Sequence, residues 1–334
     1  MTAKRKILFA LLTLAVIGAA VLTFIFMPYA QMKNNLKDIS LLSAEELTAE
    51  DAIYFLNTGS ADAILIKSDG KYALIDAAED SDNPRGFPDL EFEGTEEYVV
   101  NAVKKLAGDK NGKATLEFVL GTHSHSDHIG GFDTLILDED ITVKKAFLKK
   151  YDESKITDYE IEKWDNKEVY EQMLDACKKR GVPVIHNISE EPFVFGNFTL
   201  KFCNAYYKEL DEKTGENENA VGLLVEKDGY RAFLAADINN HVGDEDRLAE
   251  EIGKINLLKV GHHGYDGSTT KGFCEALQPE IAVVTNRKGG ISREPLNNLN
   301  KINAAVLETG TYGGIVAEFS DDGIRLYENL DSIL

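Results

Sequence analysis

The alternation of apolar and polar positions divides the chain before any single residue is interpreted. From Ile7 to Met27 no charge occurs. As a helix this stretch would span about 30 Å, the thickness of a bilayer core. Lys4, Arg5 and Lys6 precede it, which predicts a cytoplasmic N-terminus with the remainder of the chain outside. The competing reading is a cleaved signal peptide, whose apolar stretch is shorter and ends in a small-x-small site. Pro28-Tyr29-Ala30 is the only candidate for one and fits poorly. Residues 1–30 are therefore expected to be an uncleaved signal-anchor and single transmembrane helix. Residues 31–50, polar with scattered leucines, predict a tether or a short amphipathic helix.

Residues 51–334 read as one folded domain. Ala63–Ile66 and Tyr72–Ile75 flank Ser-Asp-Gly, a strand–turn–strand pattern that ends at Asp76. Thr95–Ala107 has apolar positions at helical spacing behind a capping threonine, and Thr115–Leu120 is a short buried strand. Ile141–Leu148 predicts a strand, Lys167–Arg180 a helix stopped by Gly181 and Pro183, and Phe193–Cys203 a hairpin turning at Gly196-Asn197. Gly222–Val225 and Arg231–Ala235 flank Lys-Asp-Gly and end at Asp237, which repeats the plan of the first hairpin. A helix (Asp244–Ile255), a strand (Asn256–Val260), the run Gly261-His262-His263-Gly264, a helix (Thr270–Ala276) and a strand (Ile281–Thr285) follow. A hairpin of Gly314–Phe319 and Ile324–Tyr327 closes the chain. Two similar halves, each a sheet followed by helices, predict two sheets packed face to face with helices outside.

Composition narrows the function. The formal charge is -21, from 57 acidic and 36 basic residues, so the surface repels polyanions and disfavours a long nucleic-acid partner without excluding one. Cys177, Cys203 and Cys274 are odd in number and far apart, which describes neither a disulfide framework nor a cysteine-built zinc site. They are expected to be core residues.

Five of the seven histidines fall in two clusters, His123, His125 and His128, then His262 and His263. In an extended segment residues i and i+2 project to one side, so His123, His125 and Asp127 point together. A turn at Ser126-Asp127 into a helix brings His128 round as well. Imidazoles and carboxylates are the donors that a borderline divalent cation prefers. Burying so many of them unpaired would cost several kcal/mol.

The run His123-x-His125-x-Asp127-His128, after an apolar strand and before Gly130-Gly131, resembles the HxHxDH motif of the metallo-β-lactamase superfamily. The resemblance extends over roughly residues 51–330. It implies a four-layer αββα sandwich and two divalent metal ions, zinc in the first instance, with manganese or iron as alternatives. It implies that His123 and His125 hold one ion, that Asp127 and His128 hold the other with His262 or His263, the first of the pair being favoured, and that Asp237 bridges both. Asp76 would support the metal loop. His263 would face the substrate, and Asp127 and His263 would stand nearest the chemistry. The nucleophile implied is a hydroxide held between the ions, whose acidity coordination raises.

A third histidine is usual between the HxHxDH run and the bridging aspartate. Only His186 falls there, and it reads as structural. Asn219 is the better candidate for the vacant position, as a weak ligand or a substrate contact. Trp164, with Tyr151 and Tyr159, could line a pocket for a cationic group but reads more simply as core. His241 reads as a helix-end residue, and Thr309 with Gly310–Gly314 as a loop beside the site. The motif pattern is most similar to two groups in the superfamily, the hydrolase domain of the DNA-internalisation competence protein and the phosphorylcholine esterases. The expected function is thus a phosphodiesterase or phosphate-ester hydrolase outside the membrane, on a small or cell-surface ester. The alternatives are a competence-type nuclease acting on DNA, a surface binding protein with a degenerate metal site, and, more weakly, an amide or lactam hydrolase.

Overall fold

Two Asp-Gly turns start the architecture. At Asp69-Gly70 and Asp228-Gly229 both central residues have positive φ, the geometry whose twist matches paired antiparallel strands. Each turn folds a hairpin, and each hairpin seeds one sheet. The computed structural model describes residue 13 and residues 26–80, 94–208 and 212–334.

The first half contains strands β1 (Leu41–Ser43), β2 (Ala52–Phe55), β3 (Ile64–Ser68) and β4 (Lys71–Ile75), then helix α1 (Glu96–Ala107). Strands β5 (Ala114–Leu116) and β6 (Phe118–Gly121) lead into the short helices α2 (Ser126–Ile129) and α3 (Phe132–Leu137). Strands β7 (Ile141–Val143) and β8 (Ala146–Leu148), helices α4 (Asp158–Lys163) and α5 (Asn166–Arg180), and β9 (Val184–Ile185) complete it. The second half runs β10 (Phe193–Phe195), β11 (Phe198–Cys203), β12 (Gly222–Lys227), β13 (Tyr230–Leu234), α6 (Asp244–Ile252) and β14 (Leu257–Lys259). It continues with α7 (Lys271–Leu277), β15 (Ile281–Val284), α8 (Arg293–Lys301) and β16 (Ala305–Glu308). The one-turn helix α9 (Thr309–Tyr312) and the hairpin β17 (Ile315–Ser320) and β18 (Gly323–Glu328) end the chain.

A nine-stranded sheet has the order β1-β18-β17-β2-β3-β4-β6-β8-β9, and a seven-stranded sheet the order β10 to β16. Side-chain alternation assigns their faces. Ile53 and Phe55 join Ile64, Ile66, Phe118, Phe202, Leu223, Val225, Leu257 and Val283 in the core between the sheets. The intervening Tyr54, Leu65 and Leu74 pack outward against α1, α3 and α5. Leu224, Phe233, Leu258 and Ala282 face α6, α7 and α8 on the other side. Helix, sheet, sheet, helix is the expected order of layers.

Several elements differ from expectation. The expected strands 115–120 and 141–148 each split, because β5 and β7 pair with one another in a separate ribbon while β6 and β8 join the large sheet. Helix α8 was not foreseen, since Pro295 and three asparagines hide it. Proline fits a first helical turn, and Leu296 and Leu299 bury the apolar face. Residues 31–50 are not a free tether. β1 pairs in parallel with β18, and Met32, Ala44 and Ala49 are buried. Asn300 Nδ2 donates to the Pro28 carbonyl (3.0 Å), and Gln31 Nε2 donates to the Asn300 carbonyl (2.9 Å). Most of the expected membrane span lies outside the described residues, and among the described residues no helix is long and apolar enough to cross a membrane. The three cysteines are buried free thiols.

Candidate metal centre

Loops at one end of the two sheets bring the donors together. Asp76 directly follows β4 and has positive φ, and its carboxylate accepts from the Thr122 amide (2.8 Å), the Thr122 hydroxyl (2.8 Å) and His128 Nδ1 (2.7 Å). Asp76 thus ties the end of the first hairpin to Thr122 and His128. After β6 the chain stays extended through His125, then turns into α2, with the His128 amide donating to the His125 carbonyl (3.1 Å). Ala77 N donates to the His128 carbonyl (2.7 Å), which staples this turn to the end of β4. Gly131 is required there, because a Cβ would lie 2.3 Å from the Ala77 oxygen.

Two sets of donor atoms result, and Asp237 belongs to both. One set is Asp127, His128, Asp237 and His263. His128 Nε2 lies 3.1 Å from Asp237 Oδ1 and 3.2 Å from His263 Nε2. His263 Nε2 lies 3.2 Å from Asp127 Oδ2 and 3.3 Å from Asp237 Oδ1. The other set is His123, His125 and Asp237. His123 Nε2 is 3.1 Å from His125 Nδ1 and 4.0 Å from Asp237 Oδ2. Donors bonded at about 2.0–2.1 Å to a tetrahedral ion lie about 3.3 Å apart, so the spacings of 3.1–3.3 Å fit a cation, while Asp237 Oδ2 stands farther from His123 at 4.0 Å.

A second observation supports the fit. Asp237 Oδ1 is buried and makes no hydrogen bond of good geometry despite its close imidazole neighbours. Each histidine, by contrast, turns one nitrogen inward and ties the other to an outer partner: His123 Nδ1 to the Thr122 hydroxyl (3.1 Å), His125 Nε2 to Glu160 (3.2 Å), His128 Nδ1 to Asp76, and His263 Nδ1 to the Thr285 carbonyl (3.1 Å). Such partners fix the ring tautomer and its orientation.

The electrostatics follow from these neighbours. Burial lowers the His125 pKa, but the Glu160 carboxylate overrides it and lifts it to about 9. Burial likewise opposes protonation of His263, while Asp237 and Asp62 raise it to about 10. His128 is raised by Asp237, Asp127 and Asp76 against the same burial cost. His123 is lowered by burial and by the neighbouring imidazoles. Asp237, which burial alone would raise, is held well below the ordinary carboxylate range by His263 and His128.

The adjacent pair is arranged the other way round from the order the resemblance favoured. His263, not His262, joins the converging set, because the 261–264 turn holds both residues at positive φ and sends the second ring inward. Non-glycine residues seldom adopt that conformation, and such strain concentrates at functional sites. The His262 side chain is 28% exposed, with Nε2 3.8 Å from Asp237 Oδ2 and 3.3 Å from Asn217 Nδ2. Asn219 is in neither set. Its amide donates to Glu216 (3.3 Å), and it lines a cavity of about 180 Å³ with Lys150, Lys155, Tyr207 and Lys208. His186 Nδ1 bonds to the Leu148 carbonyl (2.8 Å), and His241 Nδ1 lies 3.3 Å from Glu218, so neither is a donor here. Trp164 lies against His125, with ring centroids 6.0 Å apart, while Tyr159 is exposed. Thr309–Tyr312 is a single helical turn rather than a loop.

Sequence reasoning missed the buried charges behind the site. Lys259 is fully buried, with Nζ 2.5 Å from Asp62 Oδ2 and donating to the Ala236 carbonyl (2.8 Å). Asp62 Oδ1 accepts from the Thr285 hydroxyl (2.5 Å). Asp62, Asp76 and His128 also lie close enough to hold an ion, but Lys259 and the two threonine hydroxyls already occupy those carboxylates. A lone lysine in an apolar strand carries no such signal, since its partner is almost two hundred positions away.

Two face-to-face sheets carrying donor sets with a shared aspartate define a metallo-β-lactamase-fold protein equipped for metal-dependent hydrolysis. Residues 74–269 match the β-lactamase superfamily domain, and the chain belongs to that family. It is 27% identical over 204 residues to ComE operon protein 3 of Bacillus subtilis (strain 168), across 60% of this chain and 24% of that protein. It is 24% identical over 117 residues to Recombination protein 2 of Haemophilus influenzae, across 34% of this chain and 15% of that one. The chain therefore matches only a minor part of either relative. Among solved structures, the metallo-β-lactamase fold protein YhfI from Bacillus subtilis aligns with a TM-score of 0.47 at 11% identity, covering 77% of this chain and 95% of that one.

Proposed function

We propose that the chain is a binuclear metal-dependent phosphodiesterase, anchored by residues 1–30 and acting outside the membrane on a small or cell-surface phosphate ester. The observation that carries this reading is the pair of donor sets joined through the two oxygens of Asp237. Divalent cations bound there would acidify a water molecule and polarise the ester. His123 and His125 would hold one cation, and Asp127, His128 and His263 the other. His262, partly exposed beside Asn217, is the residue to meet the substrate and to hold a proton for the departing oxygen.

The test uses the whole chain, since residues 26–50 pack on the domain. Loaded with zinc or manganese, it should hydrolyse bis-p-nitrophenyl phosphate, and His125→Ala and Asp237→Ala should abolish turnover. No phosphodiester turnover by fully metallated protein sinks this reading. The similarity to ComE operon protein 3 favours a second reading, a nuclease. Degradation of single-stranded DNA at low salt, exceeding the rate on small diesters, would select it. Turnover of nitrocefin instead would point to amide chemistry.

A further inference from the structure

Among the described residues the set containing His123 and His125 has three converging donors where the other set has four, and the segments bordering it reach its histidines with carboxylates. The loop after β8 and helix α4 cross the 212–219 segment through a single bridge, Ile156 to Thr214, with Thr157 N donating to the Thr214 carbonyl (3.0 Å) and Thr214 N to the Lys155 carbonyl (2.9 Å). From this pair of segments two glutamates reach the histidine run. Glu216 accepts from the Ser124 amide (3.0 Å). Glu160 Oε2 accepts from His125 Nε2 (3.2 Å), from Asn166 Nδ2 (2.9 Å) and from the Glu216 amide (3.2 Å).

We propose that Glu160 is the positioning residue of this half of the centre. Its carboxylate accepts a hydrogen bond from the Nε2–H of His125, fixes the tautomer that leaves Nδ1 free for a cation, and makes the ion's retention depend on the segments around it. The proposal rests on the binuclear reading. A carboxylate behind a ligating imidazole raises its basicity, and removing such a partner typically costs 10–100-fold in metal affinity. Glu160 does this from an α4 helix whose other residues are not buried, so the dependence is local. The other set, whose outer partners are Asp76 and Thr285, should not respond.

The experiment measures Zn(II) binding to the full chain by competition with a chromophoric chelator, together with Co(II) absorption, for wild type, Glu160→Ala and Glu160→Gln. Glu160→Ala should weaken one of the two ions by 10–100-fold, leave the other unchanged and alter one Co(II) band. Glu160→Gln, which keeps the shape and an acceptor oxygen, should recover part of the loss. A purely structural role would weaken both ions together or neither. Two ions held by Glu160→Ala and Glu160→Gln as tightly as by wild type overturn the proposal while leaving the binuclear reading intact. Fewer than two ions in wild type overturn both.

Discussion

The two halves of the centre share one aspartate but are built in different ways. The half formed by Asp127, His128 and His263 is set into the ends of the sheets. His128 and His263 are buried, their outer nitrogens go to Asp76 and Thr285, and Lys259 with Asp62 fills the space behind. In the half formed by His123 and His125, His123 is buried against Thr122, while His125 borders connecting segments and takes its outer support from Glu160 on a short helix. The first is part of the folding core. The second depends on loops, which are the parts of a fold most open to change. The contrast teaches that the same residue types in one motif can be supported by quite different amounts of structure.

The largest expected effect tests what the halves have in common. Asp237→Ala removes a donor from both, so both ions should be lost and kcat/KM should fall on the order of 10³-fold or more, given several kcal/mol of charge stabilisation. Elemental analysis showing two retained ions would break the shared-donor description. Next comes the claim that one half belongs to the core. Lys259→Met strands the Asp62 carboxylate, and unpairing a buried ion costs about 3–5 kcal/mol. Chemical denaturation should show that loss, and adding Asp62→Asn should return much of it. A neutral effect of Lys259→Met would end the distinction between a core half and a loop half.

The histidine pair gives a smaller and sharper contrast. His263→Ala should lose one ion, whereas His262→Ala should keep both and lower kcat by about 10²-fold through loss of a proton-holding group. Metal loss on His262→Ala would return it to the ligand role. The smallest effect is a pH dependence. In the metal-free chain His125 titrates near 9 and His263 near 10, so below those values each carries a proton that a cation must displace. Metal affinity should therefore fall as pH drops, by about tenfold per unit for each competing proton. Calorimetric titration in buffers of different ionisation heat should register proton release. A flat affinity between pH 6 and 8 would show that the imidazoles are neutral before the ion arrives.

Much of this was legible in the chain itself. The Asp-Gly hairpins, the period-2 strands and the helices 96–107 and 166–180 follow from local patterns, because turn sterics and alternation act over a few residues. The HxHxDH run was legible for the same reason, with strand, turn and helix spacing the four donors within six positions. Helix α8 was hidden because its stabilisation lies in burying Leu296 and Leu299 rather than in propensity. The packing of residues 31–50 was hidden too, since β1 is a strand only because β18 lies beside it.

Sequence alone determined the donor types, their order and the layered fold, because these depend on chemistry and short-range geometry. Only the tertiary structure decided which of His262 and His263 turns inward, that Lys259 answers Asp62, and that Glu160 stands behind His125. In each case the deciding partner arrives from a distant part of the chain, and a ring's direction is set by what surrounds it.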